Sequence, residues 1–377
     1  MRVDALGLLS GDPRTFVEKV WAHRAHLHHC SPADSAALLS LDDVDHLLTS
    51  TGLRTPALRM AQDGAVIASS RYTRAATLAG VPLTGLVDPV KVFDLMDGGA
   101  TIVLQGLHRY WEPISELVRD LEVALGHPCQ ANAYLTPPGS QGFALHSDTH
   151  DVFVLQTHGS KRWEVHDENG PQHLWLDPGT SLYLPRGTPH AARTESAVSL
   201  HVSVGVNLVT WRELIDRVVK QVLTGAELDE PIPAGYLDDP QRLQHEVGQR
   251  VAALAAGLAD LDPAAVAGDQ VRHFLRTRRP ALRGGLHDRL NLAAVNDETL
   301  LERRPGSICV VQPDGDRLLV LLGDRELRVP ARLAGALRYV RAQPHLRALD
   351  LAPWLDPQSR LVLVRRLLRE GLFQVHR

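Results

Sequence analysis

Three side chains able to bind a metal ion lie near the middle of the chain. His146 and Asp148 are in the segment NAYLTPPGSQGFALHSDTHDVFVLQTHGSKRW, and His190 follows in LYLPRGTPH. Residues i and i+2 of a strand share a face, so an extended segment would direct His146 and Asp148 to one point. With His190 from another strand they would form a two-histidine, one-carboxylate set. Such a set leaves coordination positions open, as non-haem Fe(II) oxygenases require.

The spacing alone leaves other ligand sets open. An HxD triplet is weak evidence in a chain with 19 histidines. His150 continues the strand face of Asp148, and Asp151 is its neighbour, so both compete as ligands. The opposing interpretation is that these are surface side chains in polar loops.

Lys161 is a candidate anion-binding residue. The chain has four lysines against 36 arginines, so a lysine in the central segment is unusual. A lysine directed into a small barrel is costly unless it meets an anion. Without the metal ligands, a surface position at a turn would be the favoured interpretation of Lys161.

Polar residues on two predicted strands could also face the site. Asn132 and Tyr134 share one face of the strand 130–135, where the Asn132 amide would bind a carboxylate or satisfy backbone groups. Ser203 is open to the same two interpretations. His201 lies on the same strand as Ser203 and could face inward beside the site.

The elements expected to position these residues are short strands between Cys129 and Asn207. Turn segments such as PPGSQG, THGS and DPGT separate them. The predicted strands are 130–135, 143–147, 152–157, 161–166, 172–176, 181–184 and 197–206. Many short strands at this spacing indicate a sandwich or barrel, and a small double-sheet roll of the cupin type fits their number.

Helices and a few strands are predicted before this β-rich region. The N-terminal stretch 12–50 reads as helical, with Ser40 and Asp43 as a cap pair. Further helices are predicted at 88–96 and 112–125. Extended segments are expected at 56–68 and 101–104.

The pattern becomes helical again after the β-rich region. Thr210 and Glu213 form a predicted capping box for WRELIDRVVKQVL, and helices at 241–258 and 264–276 follow. This segment is either a dimerisation element or a set of helices packed on the body. The last part mixes strands and helices in the order of a winged helix. Its strands are predicted at 307–311, 317–322, 326–329 and 372–375, and its helices at 330–341 and 357–370.

Composition and charge are those of an ordinary soluble globular protein. Hydrophobic residues make up 44% of the 377 residues, and no apolar run reaches the roughly 20 residues of a membrane span. Three scattered cysteines indicate a reducing compartment, so we expect a cytoplasmic protein without membrane contact. From Arg272 onward, 20 Lys and Arg face 11 Asp and Glu, which leaves the rest acidic. The basic part could meet an acidic partner such as RNA, or pack on the acidic body or a second subunit.

The combination of motifs resembles a known family. The segment from Asn132 to Trp163 with its HxD and GSKRW, followed by PRGTPH, resembles the JmjC-type cupin family of ribosomal oxygenases. The similarity is strongest over about 92–206. It implies a mainly β core, a double-stranded β-helix, with N-terminal helices, a helical dimerisation segment and a C-terminal winged-helix-like module. The implied domains are 1–207, with the β-roll at about 96–207, then 208–282 and 283–377.

The resemblance also implies an activity and a cofactor set. Fe(II) would be held by His146, Asp148 and His190. The cosubstrate 2-oxoglutarate would chelate the iron, its far carboxylate would meet Lys161, and Asn132 would be a hydrogen-bonding neighbour. Dioxygen is the other cosubstrate.

The expected reaction is hydroxylation of a protein side chain, the substrate being a ribosomal protein, by a homodimeric enzyme. The alternatives are an oxygenase acting on a peptide, amino acid or small metabolite, and a non-catalytic cupin that binds nucleic acid.

Overall fold

The computed structural model describes residues 4–140, 144–167, 170–224 and 228–376. The chain divides into two compact units, Met1–Leu208 and Val209–Arg377. Within the described residues, no single helix is both long and apolar enough to cross a membrane, although the bent pair Pro240–Ala259 and Pro263–Arg276 passes on length and composition.

Several helices of the first unit begin at a residue whose side chain caps the helix N-terminus. Asp12, Ser31, Ser40 and Asp88 each accept a backbone N–H at a helix start, and Ser40 and Asp43 form the predicted capping box. The helices are α1 (Ala5–Ser10), α2 (Pro13–Lys19), α3 (Pro32–Leu38), α4 (Leu41–Ser50), α5 (Pro89–Asp97) and α6 (Glu112–Leu125).

Two antiparallel sheets form the centre of this unit. Eight strands make the large sheet in the order β1-β11-β8-β13-β7-β6-β2-β3, three make the small sheet in the order β10-β9-β12, and β4 and β5 form a separate hairpin. The strands are β1 (His26–His29), β2 (Leu58–Gln62), β3 (Ala65–Val66), β4 (Thr73–Leu78), β5 (Val81–Val87), β6 (Thr101–Leu104), β7 (Cys129–Thr136), β8 (Asp151–Gly159), β9 (Lys161–Asp167), β10 (Gly170–Leu176), β11 (Thr180–Leu184), β12 (His190–Arg193) and β13 (Ser199–Val206).

Strand alternation gives the large sheet two different faces. On β7 and β13, alternate residues such as Ala133 and Val202 pack with the helices in the main core. The residues between them line a cavity. A second apolar cluster, which includes Val154 and Trp163, joins β8, β9 and β11. The large sheet therefore has its structural core on one face and the cavity on the other.

Two predictions for this region were wrong, and one strand was not predicted. The predicted strand 143–147 is not a strand over its described part, 144–147, where His146 makes only an isolated bridge; Phe143 lies outside the described residues. The stretch 12–50 contains the strand β1, which pairs with β11 as an edge strand. His190 begins a strand of its own, β12, which is too short to give a clear alternating pattern.

The second unit consists of three longer helices followed by small sheets and short helices. Thr210 and Glu213 form the predicted capping box of the first helix. The helices are α7 (Trp211–Val222), α8 (Pro240–Ala259), α9 (Pro263–Arg276), α10 (Gly285–Leu290), α11 (Ala334–Ala342) and α12 (Pro357–Arg369). The strands are β14 (Leu301–Arg303), β15 (Val310–Asp314), β16 (Arg317–Leu321), β17 (Glu326–Pro330), β18 (His345–Leu346) and β19 (Phe373–Val375). The winged-helix interpretation of this last part stays a prediction.

Candidate metal centre

Backbone hydrogen bonds bring the three predicted metal ligands together. His146 and His190 form an antiparallel bridge, in which each backbone N–H donates to the other's carbonyl at 3.1 and 2.8 Å. The carbonyl of Asp148 accepts the backbone N–H of Gly187 at 2.8 Å. The loop that follows β7 is thus tied at two points to the turn before β12. The ligands come from a bridged loop and a short strand, not from two long strands.

The side-chain geometry fits a divalent metal ion. One ligand atom from each of His146, Asp148 and His190 lies within 4.8 Å of the others. His190 Nε2 is 3.6 Å from an Asp148 carboxylate oxygen. Each imidazole Nδ1 faces a backbone carbonyl, Ala144 O at 2.8 Å and Thr188 O at 3.0 Å, so each Nδ1 carries the proton. This tautomer leaves the Nε2 lone pair of each histidine available to a metal ion. A hydrogen bond from the other ring nitrogen to a backbone carbonyl is typical of metal-binding histidines.

The electrostatics of the cluster agree with this assignment. His190 is buried, and burial holds its pKa below the ordinary value for histidine. A neutral imidazole is the form that binds a metal. The donor set of two imidazole nitrogens and one carboxylate oxygen suits Fe(II) and leaves coordination positions open to the cavity.

The two competing ligands take other positions. Asp151 is fully buried and points toward the helices, where its carboxylate accepts the Tyr183 hydroxyl and, at 2.8 Å, the Arg186 backbone N–H. His150 lines the cavity, but its ring lies over Gly205, where a Cβ would be 2.5 Å from the ring. The ligand cluster contains neither residue.

The three ligands lie at a cavity of about 340 Å³, a volume suited to a small ligand. Its walls come from both sheets: alternate residues of β2, β7 and β13 on one side and of β9 and β12 on the other. All the site residues predicted from the sequence line it. These are Asn132, Tyr134, His146, Asp148, Lys161, His190 and Ser203.

Lys161 lies inside this cavity and is only 3% exposed. Its ammonium donates a hydrogen bond to Thr136 Oγ1 at 3.2 Å, and Thr101 Oγ1 donates in turn to Thr136 Oγ1 at 3.3 Å. No carboxylate from the described residues forms an ion pair with it. Burial therefore lowers the pKa of Lys161 to about 8. A buried cation with hydroxyl neighbours is ready to receive an anion.

The predicted polar residues form a connected wall beside Lys161. Asn132 Oδ1 accepts the backbone N–H of Gly106 at 2.9 Å, which leaves the amide nitrogen of Asn132 to donate. The Tyr134 ring stacks on the His201 ring, with centroids 5.0 Å apart and planes inclined by 10°. Ser203 is the cross-strand partner of Asn132 and lines the same surface.

Several cavity residues were not predicted as site residues. They include Arg59, Thr101, Thr136 and Trp163. Arg59 alternates with buried Leu58 and Met60 on β2, so the sequence pattern placed it opposite the core. Nothing in the sequence showed that β2 and β6 extend the same sheet as β7.

Comparison with known proteins agrees with this geometry. A model of the JmjC domain matches residues 109–175 and 167–214. The chain is 35% identical over 161 residues to the bifunctional lysine-specific demethylase and histidyl-hydroxylase NO66 of Branchiostoma floridae, covering 41% of this chain and 26% of that protein. It is 27% identical over 231 residues to human ribosomal oxygenase 1, covering 51% and 36%. The chain thus spans well under two thirds of these relatives' lengths.

A solved structure extends the similarity over the whole chain at the level of the fold. The ribosomal oxygenase YcfD of Escherichia coli matches with a TM-score of 0.56 at 19% identity, covering 98% of this chain and 99% of that one. A structure of YcfD with cobalt and 2-oxoglutarate matches with a TM-score of 0.55 at 20% identity, covering 97% and 98%.

The first unit has the fold of a JmjC-type cupin, a double-stranded β-helix with helices packed on its large sheet, and the JmjC-domain match falls within it. The chain is similar in sequence to proteins named ribosomal oxygenases and similar in fold to YcfD, as the resemblance found in the sequence predicted.

Proposed function

We propose that this protein is an Fe(II)- and 2-oxoglutarate-dependent oxygenase that hydroxylates a side chain of a protein, and that its substrate is a ribosomal protein. The observation that carries the proposal is the cluster of His146, Asp148 and His190 at the mouth of a cavity that also contains the buried Lys161. A cluster of metal ligands alone does not specify the reaction, because many classes of protein bind a metal ion. A buried cation beside it adds a place for a dicarboxylate.

When bound, the iron supplies oxidation chemistry: 2-oxoglutarate, dioxygen and a C–H bond give succinate, carbon dioxide and a C–OH bond. His146 and His190 would hold the ion through Nε2, and Asp148 through a carboxylate oxygen. The backbone carbonyls that receive the two Nδ1–H groups fix the ring orientations before any metal binds. The role of these residues is to keep the open positions directed at the cavity.

Lys161 would hold the far carboxylate of the cosubstrate. Its ammonium is a compact charge with three donors, of which Thr136 takes one. A bound carboxylate would offset the desolvation free energy of the buried Lys161 ammonium, so the cation and the cosubstrate would stabilise each other. The apolar walls formed by Val152, Val154 and Trp163 would exclude water from the reacting atoms.

The printed names of the relatives support a protein side chain as the target of hydroxylation. They are a bifunctional lysine-specific demethylase and histidyl-hydroxylase and a ribosomal oxygenase. These names support a ribosomal protein as the substrate and leave the type of the hydroxylated side chain to experiment.

The helical segment α7–α9 supports a further proposal, that the protein is a homodimer. Large apolar side chains are exposed on α7 and α8, including Trp211, Ile215 and Val251. Pairing of two copies would cover them. Light scattering after gel filtration should give twice the chain mass of 41.4 kDa, and Trp211→Asp with Ile215→Asp should reduce it to one chain. A single-chain mass for the unchanged protein would refute the dimer.

The experiment that tests the activity is succinate formation from 2-oxoglutarate by the Fe(II)-loaded protein, with and without ribosomal proteins. His146→Ala should abolish it, and His158→Ala, at an exposed histidine outside the cavity, should not. A mass increase of one oxygen on a ribosomal protein would identify the substrate. Turnover stimulated only by free amino acids or small metabolites would favour the alternative oxygenase. If the protein forms no succinate and binds no 2-oxoglutarate, the remaining interpretation is a non-catalytic cupin.

A further inference from the structure

A second nitrogen-bearing side chain lies beside Lys161 in the cavity. His201 is on β13, lines the cavity and is only 4% exposed. Burial is the main cause that lowers its pKa well below the ordinary value, and the Lys161 ammonium contributes to the same effect. The imidazole is therefore neutral at physiological pH and carries one N–H and one lone pair.

The position of this ring is fixed by aromatic neighbours. Tyr134 stacks on one face of His201 with centroids 5.0 Å apart, and Trp163 meets the ring edge-on at 5.7 Å. Tyr134 is also the cross-strand partner of His201 on β7. Such packing needs a flat ring, but it does not need ring nitrogens.

Aromatic packing does not explain why ring nitrogens are present at this position. His201 Nδ1 is buried without a hydrogen-bond partner in the described part of the chain, and so is Trp163 Nε1. Buried polar atoms are nearly always hydrogen-bonded, so two orphan nitrogens at the same cavity indicate an absent partner. The indole N–H can only donate, and so can the Lys161 ammonium. An acceptor would satisfy the indole N–H, and an acceptor with negative charge would also pair with the Lys161 ammonium.

We propose that His201 is a further contact for the far carboxylate of 2-oxoglutarate, donating an N–H to the oxygen that Lys161 does not fully engage. The inference rests on the proposed function. A carboxylate has two oxygens and about four acceptor positions, more than one ammonium fills. Together His201 and Lys161 would make the cavity selective for a keto acid with a second carboxylate. His201 would thus be a binding residue, separate from the metal ligands.

The test is calorimetric titration of two keto acids into Mn(II)-loaded protein without oxygen. The two ligands are 2-oxoglutarate, which has the far carboxylate, and pyruvate, which has only the metal-chelating end. His201→Phe keeps the stacked ring and removes the nitrogens. Because a hydrogen bond to a charged group is lost, we expect 2-oxoglutarate to bind about tenfold to a hundredfold more weakly. Pyruvate should bind as it does to the unchanged protein.

Two further variants complete the design. His201→Asn places an amide nitrogen near the position of Nδ1, so it should bind 2-oxoglutarate more tightly than His201→Phe does. His158→Phe, at an exposed position on β8, should change nothing. Mn(II) affinity should be the same in all three variants, because none of them alters a metal ligand.

The outcomes separate this inference from the activity itself. Unchanged 2-oxoglutarate binding by His201→Phe would overturn the role of His201 and leave the proposed function standing. Equal weakening of 2-oxoglutarate and pyruvate would also overturn it, since the effect would then be on the metal end or on folding. If the unchanged protein binds pyruvate no more weakly than 2-oxoglutarate, the selectivity does not exist and this inference fails alone. If the unchanged protein binds neither keto acid, the proposed function fails and the inference fails with it.

Discussion

Replacing Lys161 by methionine should stabilise the empty protein while destroying its affinity for 2-oxoglutarate. The Lys161 ammonium is 3% exposed, hydrogen-bonded to Thr136, and without an ion-pair partner among the described carboxylates. Methionine keeps the length and apolar character of the side chain and removes the charge. The variant therefore separates the cost of burying the cation from the packing of its stem.

The size of the effect follows from the pKa. Burial lowers the pKa of Lys161 from 10.5 to about 8, and one pH unit corresponds to 1.36 kcal/mol. Keeping the folded protein charged below pH 8 thus costs about 3 kcal/mol. The unfolded chain binds more protons than the folded one between pH 8 and 10.5, so the stability of the unchanged protein rises with pH across that window. The advantage of Lys161→Met should be full below pH 8 and vanish near pH 10.5.

The assay is urea unfolding of the metal-free first unit within the full-length chain, followed by the fluorescence of its tryptophans at several pH values. Lys91→Met, at an exposed lysine, is the control and should shift stability by less than about 1 kcal/mol at any pH. Adding Mn(II) and 2-oxoglutarate should stabilise the unchanged protein and not Lys161→Met. An advantage that is absent at pH 7, or that does not change up to pH 10.5, would refute the buried-cation reasoning.

Two further predictions concern buried charges elsewhere in the chain. Tyr183→Phe removes a hydroxyl that donates a hydrogen bond to the buried Asp151 carboxylate. The same carboxylate accepts the Arg186 backbone N–H in the turn before β12. We expect the free energy of unfolding, measured by chemical denaturation, to fall by about 2 kcal/mol. Asp288→Ala leaves the buried Arg304 guanidinium without its carboxylate at 2.5 Å, so the second unit should lose roughly 3 to 5 kcal/mol, measured by hydrogen exchange of its core amides.

Matched controls exist for both. Tyr110→Phe removes a neutral hydroxyl contact to a carbonyl at 3.3 Å and should cost less than about 1 kcal/mol. Asp324→Ala removes a more exposed ion pair with Arg325 and should be nearly silent. If either control costs as much as its buried counterpart, burial is not the reason for the difference.

Most of the secondary structure followed from local patterns in the sequence. The helix Glu112–Leu125 begins and ends where its apolar spacing and Gly126 predicted, and the capping boxes at Ser40 and Thr210 are formed. The long strands β7, β8, β9 and β13 were found because alternation and flanking turns are short-range signals. The short strands β1 and β12 were missed, because their pairing comes from distant partners.

The candidate site was only partly determined by the sequence. The types and spacing of His146, Asp148 and His190 indicated the metal chemistry, but spacing alone left His150 and Asp151 as close competitors. The fold decided between them, because β8 begins at Asp151 and strand alternation turns that carboxylate to the helix face. The bridge between His146 and His190 then supplied the third ligand.

The cavity itself depended on tertiary structure. The sequence left open whether Lys161 is buried or lies at the surface, and the position of β9 opposite β7 and β13 places it inside the cavity. Arg59 and Thr136 line the cavity because β2, β6 and β7 share one sheet. The sequence determines which face of each strand is polar, since alternation is local. It does not determine which polar faces meet, because that depends on pairings between residues far apart in the chain.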